Sequence, residues 1–241
     1  MKDSNVTSDC SKRTKPETVL FGVGINDADY NVTIGHRENG KKVFDWICPI
    51  YTTWLAMLRR CYSKTAKARH ESYTCETVHP DWLRFSGFRV WMVEQDWEGK
   101  VLDKDFLSGG SLAYGPDTCV FVPQWLNTTI ARRSDSQKGD YLPGVYWHKR
   151  IGKFKASVSL GMGRKAKHLG YFENEVDAHL VWRDAKAEVY REIIETQTDQ
   201  RIIAVLEQKV LDLYNELGED NYIERFNKNQ HLLKRYTGET Y

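Results

Sequence analysis

"GVYWHKRIGKFKASVSLGMGRKAKHLGYF" spans residues 144–172, and the way it alternates decides the fold of the second half of the chain. Phe154, Ala156, Val158 and Leu160 alternate with Lys153, Lys155, Ser157 and Ser159. A period of two sends successive side chains to opposite faces of a strand, so one set faces a core and the basic, hydroxyl-bearing set faces away. Gly152 and the Gly161-Met162-Gly163 turn bound this segment, which predicts three short strands at 144–148, 153–160 and 165–172. Asn174 stands where a helix cap belongs, with Glu175 and Asp177 in the first turn. Ala178, Val181, Trp182, Ala185 and Val189 then form an apolar stripe able to cover the sheet.

Charge is distributed unevenly around this segment. From Leu142 to Phe172 the chain has seven bases (Lys149, Arg150, Lys153, Lys155, Arg164, Lys165, Lys167) and no acid, whereas residues 173–241 hold fifteen acids against nine bases. The formal net charge of +2 hides this asymmetry. A basic sheet beside an acidic helical tail predicts a polyanion-binding face backed by a solvated region. Two further helices are expected at about 200–217 and 219–236, broken at Gly218. The first of them carries Ile203, Leu206, Val210 and Leu213 on one face, available for a homodimer or for packing within the chain.

Upstream, "YTTWLAMLRRCY" (51–62) repeats Tyr51, Trp54, Leu55 and Leu58 at helical spacing. "HPDWLRFSGFRVWMVEQ" (79–95) places Pro80 near a helix start, followed by Trp82, Phe85 and Trp91. Both read as core helices. "RRSDSQKGDYLPG" (132–144) is polar with Gly and Pro, so residues 132–143 read as a linker and residues 1–17 as a disordered leader. No apolar run is long enough for a membrane span or a signal core. Five cysteines without a CxxC pair, Cys10, Cys48, Cys61, Cys75 and Cys119, suggest reduced thiols and a cytoplasmic setting. A structural Zn2+ held by four of them with His79 would lack the close-spaced pairs such sites use, and buried thiols account for them more simply.

Residues 142–190 resemble the plant ethylene-response-factor (Apetala-two) DNA-binding domain, which also occurs in phage homing endonucleases. The matching pieces are Gly144-Val145, Gly152-Lys153-Phe154-Lys155-Ala156, Leu169-Gly170-Tyr171-Phe172, Glu175-Val176-Asp177-Ala178, Trp182 and Ala185-Lys186. The resemblance implies that the sheet face binds double-stranded DNA through Tyr146, His148, Arg150, Ser157, Ser159 and His168, with Tyr171 close by. Lys153 and Lys155 on that face, with Arg164, Lys165 and Lys167, would neutralise phosphates. Tyr, His and Ser stand where the plant domains place arginines, the usual readers of guanine, which favours backbone contact over strict sequence reading.

The stretch "VLDKDFLSGGSLAYGPDTCVFVPQWLN" (101–127) resembles an HNH nuclease, a hairpin followed by a helix around one divalent metal. The first half of the chain is also similar to phage HNH-like proteins in its "GVGIN", "WLAMLRRCY", "LDKD" and "TCVFVP" pieces. The resemblance implies a ββα-metal domain in which Asp103 and Asn127 hold Mg2+ or Mn2+, Lys104 occupies the position of the general base, and Thr118 that of the loop-fixing Asn. An ordinary lysine titrates near about 10.4 and is a poor base at neutral pH. Asp105, or His70 or His79 from outside the motif, could serve as base; Lys104 could stabilise phosphate charge; or the chemistry has been lost.

The expected molecule is therefore α+β. An HNH-like domain would occupy residues 18–131, a three-stranded antiparallel sheet plus helix residues 144–196, and a helical region residues 197–241. It would act as a homing-endonuclease-like DNA hydrolase in a phage-infected bacterial cytoplasm, or as an inactive relative that works by binding DNA or a host protein.

Overall fold

The structure, a computed structural model, describes residues 16–69, 77–108, 112–130 and 141–215, and is a mixed α+β arrangement of small sheets and helices. His70, Cys10, Cys75, residues 132–140 of the expected linker and the expected helix at 219–236 lie outside the described residues. The chain forms two compact units, divided between Pro123 and Gln124.

In the first unit β1 (Thr18–Leu20) pairs antiparallel with β2 (Gly24–Asn26), and β3 (Thr33–Glu38) with β4 (Lys41–Ile47). Helix α1 (Pro49–Tyr62), started by Pro49, buries Trp54 and Leu58 as expected, while the half-buried Tyr51 and Leu55 flank them. Helix α2 (Lys64–Arg69) and strand β5 (Thr77–Val78) follow. The stretch expected as one helix from Pro80 breaks into a 3-10 turn, Pro80–Leu83, and helix α3 (Phe85–Val93). Asp27 joins this break to the first hairpin, accepting from the Ser86 amide, the Ser86 hydroxyl and the Arg84 guanidinium at 2.7–2.9 Å. Partial burial would raise its pKa, but these donors outweigh burial and bring the carboxyl below its usual range. Trp54, Trp82, Phe85 and Phe88 fill the core with edge-to-face ring contacts at 5.2–5.5 Å.

The remaining elements of this unit are β6 (Val101–Asp103), α4 (Asp105–Ser108), β7 (Ala113–Tyr114) and β8 (Val120–Val122). Strand β6 pairs antiparallel with β8, as the hairpin reading requires, and β7 turns aside to pair parallel with β5.

The second unit contains α5 (Gln124–Ile130), β9 (Val145–His148), β10 (Lys153–Val158), β11 (Lys167–Phe172), α6 (Glu175–Glu195) and α7 (Gln200–Asn215). The three strands form one antiparallel sheet in the order β11-β10-β9. Strand β10 alternates as its sequence demands, with Phe154, Ala156 and Val158 buried and Lys153, Lys155 and Ser157 on the other face. Tyr141 and Leu142, expected as linker, pack into the sheet core, and the Leu142 amide donates to the buried Glu175 carboxylate. Asn174 caps α6 by accepting from the Asp177 amide at 2.8 Å.

The expected stripe on α6 holds at Ala178 and Val189 but not at Val181, which is 39% exposed. Helix α6 is packed by the sheet on one side and by α7 on another, so Ala187, Tyr190 and Ile193 are also buried. Leu206 and Leu213 of α7 are buried in the same packing. Helix α7 thus spends much of its apolar face within the chain, leaving Leu211 and Tyr214 outside. Cys48 and Cys119 are buried free thiols, but Cys61 is disulfide-bonded, against the expectation of reduced cysteines throughout.

Candidate nucleic-acid interface

The strand register lays out the outer face of the sheet row by row. Lys155 stands opposite Tyr146 on one side and Tyr171 on the other, which makes a Tyr146–Lys155–Tyr171 row across all three strands. Lys153 faces His148 in the next row, and a bulge after Ala156 brings His168 opposite Ser157. Tyr146 and Tyr171 are 47% and 40% exposed. The Tyr171 ring is met nearly at right angles by His148, 5.4 Å between centroids, and tilted by His168 at 4.8 Å. A cation thus sits at the centre of an exposed aromatic layer that a folding core does not need.

The other expected contacts divide into two groups. Arg150, Lys165 and Lys167 are exposed at the turns and edge of the sheet, and Ser159 is exposed just beyond the end of β10. Lys153 is paired with Glu173 at 2.6 Å. Arg164 is turned to Glu192 of α6 at 3.0 Å and to the Leu160 carbonyl at 2.8 Å. These two cations are thereby partly neutralised by the chain's own acids, whereas Lys155, Lys165 and Lys167 have no ion pair among the described residues.

The hairpin stretch is organised by capping and burial. Asp103 ends β6, and its Oδ1 accepts from the amides of Asp105 and Phe106 at 2.8 and 2.7 Å, which caps the short α4. Lys104 is buried, with 7% exposure, and its Nζ lies 2.5 Å from the Asp105 carboxylate. The Thr118 hydroxyl donates to the Ala113 carbonyl at 2.9 Å. Cys119 beside it is fully buried, and burial pushes its thiol up to about 11. His79 turns its Nδ1 towards the Asp81 amide at 3.4 Å and starts the 3-10 turn.

Sequence reading missed Tyr114, which burial raises in pKa and to which Arg60 donates at 3.2 Å. No local pattern links residues 60 and 114; only the fold brings them together. Asp103 belongs to the first unit, and Asn127, on α5, to the second. Among the described residues no group of three His, Cys, Asp or Glu side chains is placed to hold a metal ion. Mg2+ commonly takes one or two carboxylates, with water and phosphate completing its shell. Asp103 is a carboxylate of the kind Mg2+ takes, and Lys104 beside it is paired with Asp105.

Lys186 of α6 was expected only as part of a family motif. It is 8% exposed, donates to the Thr129 carbonyl at 3.1 Å and lies 4.6 Å from the Tyr190 ring centroid. Burial lowers its pKa from 10.5 to about 8. Below pH 8 both folded and unfolded chains hold this proton, so the full cost of burying the charge applies. Between pH 8 and 10.5 only the unfolded chain holds it, and this contribution to stability rises with pH. Cys119 and Tyr114 act in the opposite direction, because folding raises their pKa values. Comparing Lys186→Met with wild type cancels them. The variant is expected to be more stable in urea at pH 7, by up to about 3 kcal/mol for a shift of this size, and to lose the advantage as pH rises from 8 to 10.5. A gap constant with pH would refute a buried, charged Lys186.

No family model matches the sequence, and no curated protein and no solved structure matches the chain. Among the described residues no helix is long and apolar enough to cross a membrane.

Proposed function

We propose that this chain binds double-stranded DNA through the outer face of the β9–β11 sheet. The observation that carries this reading is the Tyr146–Lys155–Tyr171 row, with His148, His168 and the exposed rim lysines Lys165 and Lys167 around it. Lysines neutralise phosphates and release counterions, which supplies affinity without sequence. Tyrosine, histidine and serine add hydrogen bonds to phosphate and sugar and contact with base edges, giving modest preference. A three-stranded sheet backed by one helix, with the order of motifs seen between Gly144 and Lys186, supports an Apetala-two-type module as the finer description.

A second reading makes the hairpin half of the chain an HNH-like endonuclease. It is favoured by the antiparallel β6/β8 pair, with Asp103 at the end of its first strand. In that reading the Asp103 carboxylate would be offered to Mg2+, which when bound would supply charge stabilisation to the scissile phosphate. Lys104, paired with Asp105, adds positive charge and leaves the base unassigned. The inactive relative, binding DNA without cutting it, is the form that the buried Lys104, paired with the exposed Asp105 carboxylate, suits better.

Fluorescence anisotropy on a labelled duplex of about three helical turns, across a potassium chloride series, tests the first reading. Lys155→Gln is expected to flatten the slope of log affinity against log salt by about 0.9, and Lys155→Glu to weaken binding further. Absence of binding, or binding indifferent to salt and to Lys155, would sink it. The same protein incubated with supercoiled plasmid and Mg2+ tests the second. Asp103→Asn with Asn127→Ala is the right control, since Asn keeps the helix cap that Ala would remove at a cost of about 1 kcal/mol. Cutting that the double variant loses would establish the endonuclease; intact plasmid with retained binding leaves a DNA-binding protein.

A further inference from the structure

Among the described residues strands β3 and β4 pair only with each other, and neither has a fully buried residue at any position. Only the base of this hairpin touches the core, through the half-buried Trp46, and the rest of a two-stranded hairpin so exposed is marginal by itself. Its register is set locally: Asn39 and Gly40 lie at φ 49° and 76°, the two positive values that a tight type I′ turn requires. The pairs are Gly35 with Phe44, His36 with Val43, Arg37 with Lys42 and Glu38 with Lys41. Successive pairs alternate between faces, so Gly35, Arg37, Lys42 and Phe44 share one face.

The two faces differ in charge. On one, Glu38 opposes Lys41, and the His36 ring meets Asp45 at 3.0 Å. On the other, two cations stand directly opposite each other, an arrangement that costs a sheet stability. Neither Arg37 nor Lys42 has an ion pair among the described residues, and Lys42 Nζ lies 4.5 Å from the centroid of Phe44, whose side chain is 45% exposed. The ribbon therefore presents an exposed aromatic ring beside two cations that an external polyanion would relieve.

We propose that the β3–β4 ribbon is a second contact for duplex DNA, laying its Arg37–Lys42–Phe44 face into a groove. The major groove of B-DNA is about 12 Å wide and admits a two-stranded ribbon. Six residues at about 3.3 Å each give a ribbon of roughly 20 Å, enough to follow a groove. Arg37 and Lys42 reach phosphates, and Phe44 lies against base edges. Gly35, opposite Phe44, keeps the ribbon thin there; a Cβ at this position would fall 2.2 Å from the Val43 carbonyl oxygen. This inference rests on the DNA-binding reading and extends it to the first unit.

The test uses the full chain in the same anisotropy titration. Arg37→Gln with Lys42→Gln is expected to flatten the salt slope by about 1.8 and to weaken binding roughly tenfold near physiological salt. Phe44→Ala is expected to weaken binding several-fold with the slope unchanged. Lys64→Gln with Arg69→Gln on α2 is the charge-matched control and should move the slope much less. Circular dichroism melts establish that all variants fold. An unchanged slope in the ribbon variant while Lys155→Gln still acts would overturn the ribbon proposal and leave the sheet reading intact. Equal effects from the ribbon and α2 variants would reduce it to non-specific charge and overturn it. No binding by wild type would overturn both.

Discussion

Gly144→Ala is expected to unfold the sheet unit and abolish the DNA binding proposed for it. Gly144 sits at φ +77°, where a side chain is strained, and a Cβ there would lie 2.0 Å from Cδ1 and 2.1 Å from Cγ of Trp182. Trp182 packs against the core of Leu142, Val145, Phe154, Ala156 and Ala178, so the indole cannot yield without opening it. The Gly144 carbonyl also accepts from the Ser157 amide at 3.1 Å, tying the entry of β9 to β10. Left-handed strain and overpacking each cost about 1–3 kcal/mol. Together they are a large part of the stability of a small unit. Thermal melts by tryptophan fluorescence and the duplex titration should both register the loss. A variant that melts and binds like wild type would mean that the close approach of Gly144 to Trp182 is not as described.

Trp54→Ala is expected to be the most damaging change in the first unit. The side chain is fully buried, and its Nε1 donates to the Trp82 carbonyl at 2.7 Å. Its ring meets Phe85 and Tyr51 at 5.5 and 5.8 Å. Truncating a buried tryptophan costs about 3–5 kcal/mol through lost transfer energy and the cavity left behind. The stranded Trp82 carbonyl adds about 1–3 kcal/mol. Hydrogen exchange should show protection falling across Pro49–Tyr62 and Phe85–Val93, the two helices this ring joins. Trp54→Phe keeps a six-membered ring in the core while losing the donor and the rest of the indole, so it should lie between wild type and Ala. Equal behaviour of Phe and Ala would place the cost in the hydrogen bond and not in the packing.

Much of the second unit was legible from residue order alone. The alternation on either side of Phe154 sets which side chains face the core, because a strand has a period of two and one face must be apolar. Gly152 and Gly161 mark the turns, and Asn174 with Asp177 marks the start of α6 to the residue. These are local rules, satisfied by neighbours in sequence. They place Lys155 on the outer face before any coordinates are consulted.

Other features depend on neighbours distant in sequence, and only the tertiary structure decided them. Val181 lies on the right face of an isolated helix and yet is exposed, because α6 is packed by a sheet and by α7 in directions that a single stripe does not reveal. The charges of Lys153 and Arg164 belong to the same basic run as that of Lys155, but Glu173 and Glu192 reach them in the fold. Asp103 looks like a metal ligand by its place in "LDKD", whereas its Oδ1 caps a helix that only the coordinates disclose. Lys104 reads as a free catalytic position until burial sets it against Asp105. Sequence by itself determined the strand period, the turns and the Asn174 cap of α6, which follow from backbone stereochemistry. The pairing of charges and the burial of polar groups were left to the fold, because both depend on long-range packing that no spacing encodes.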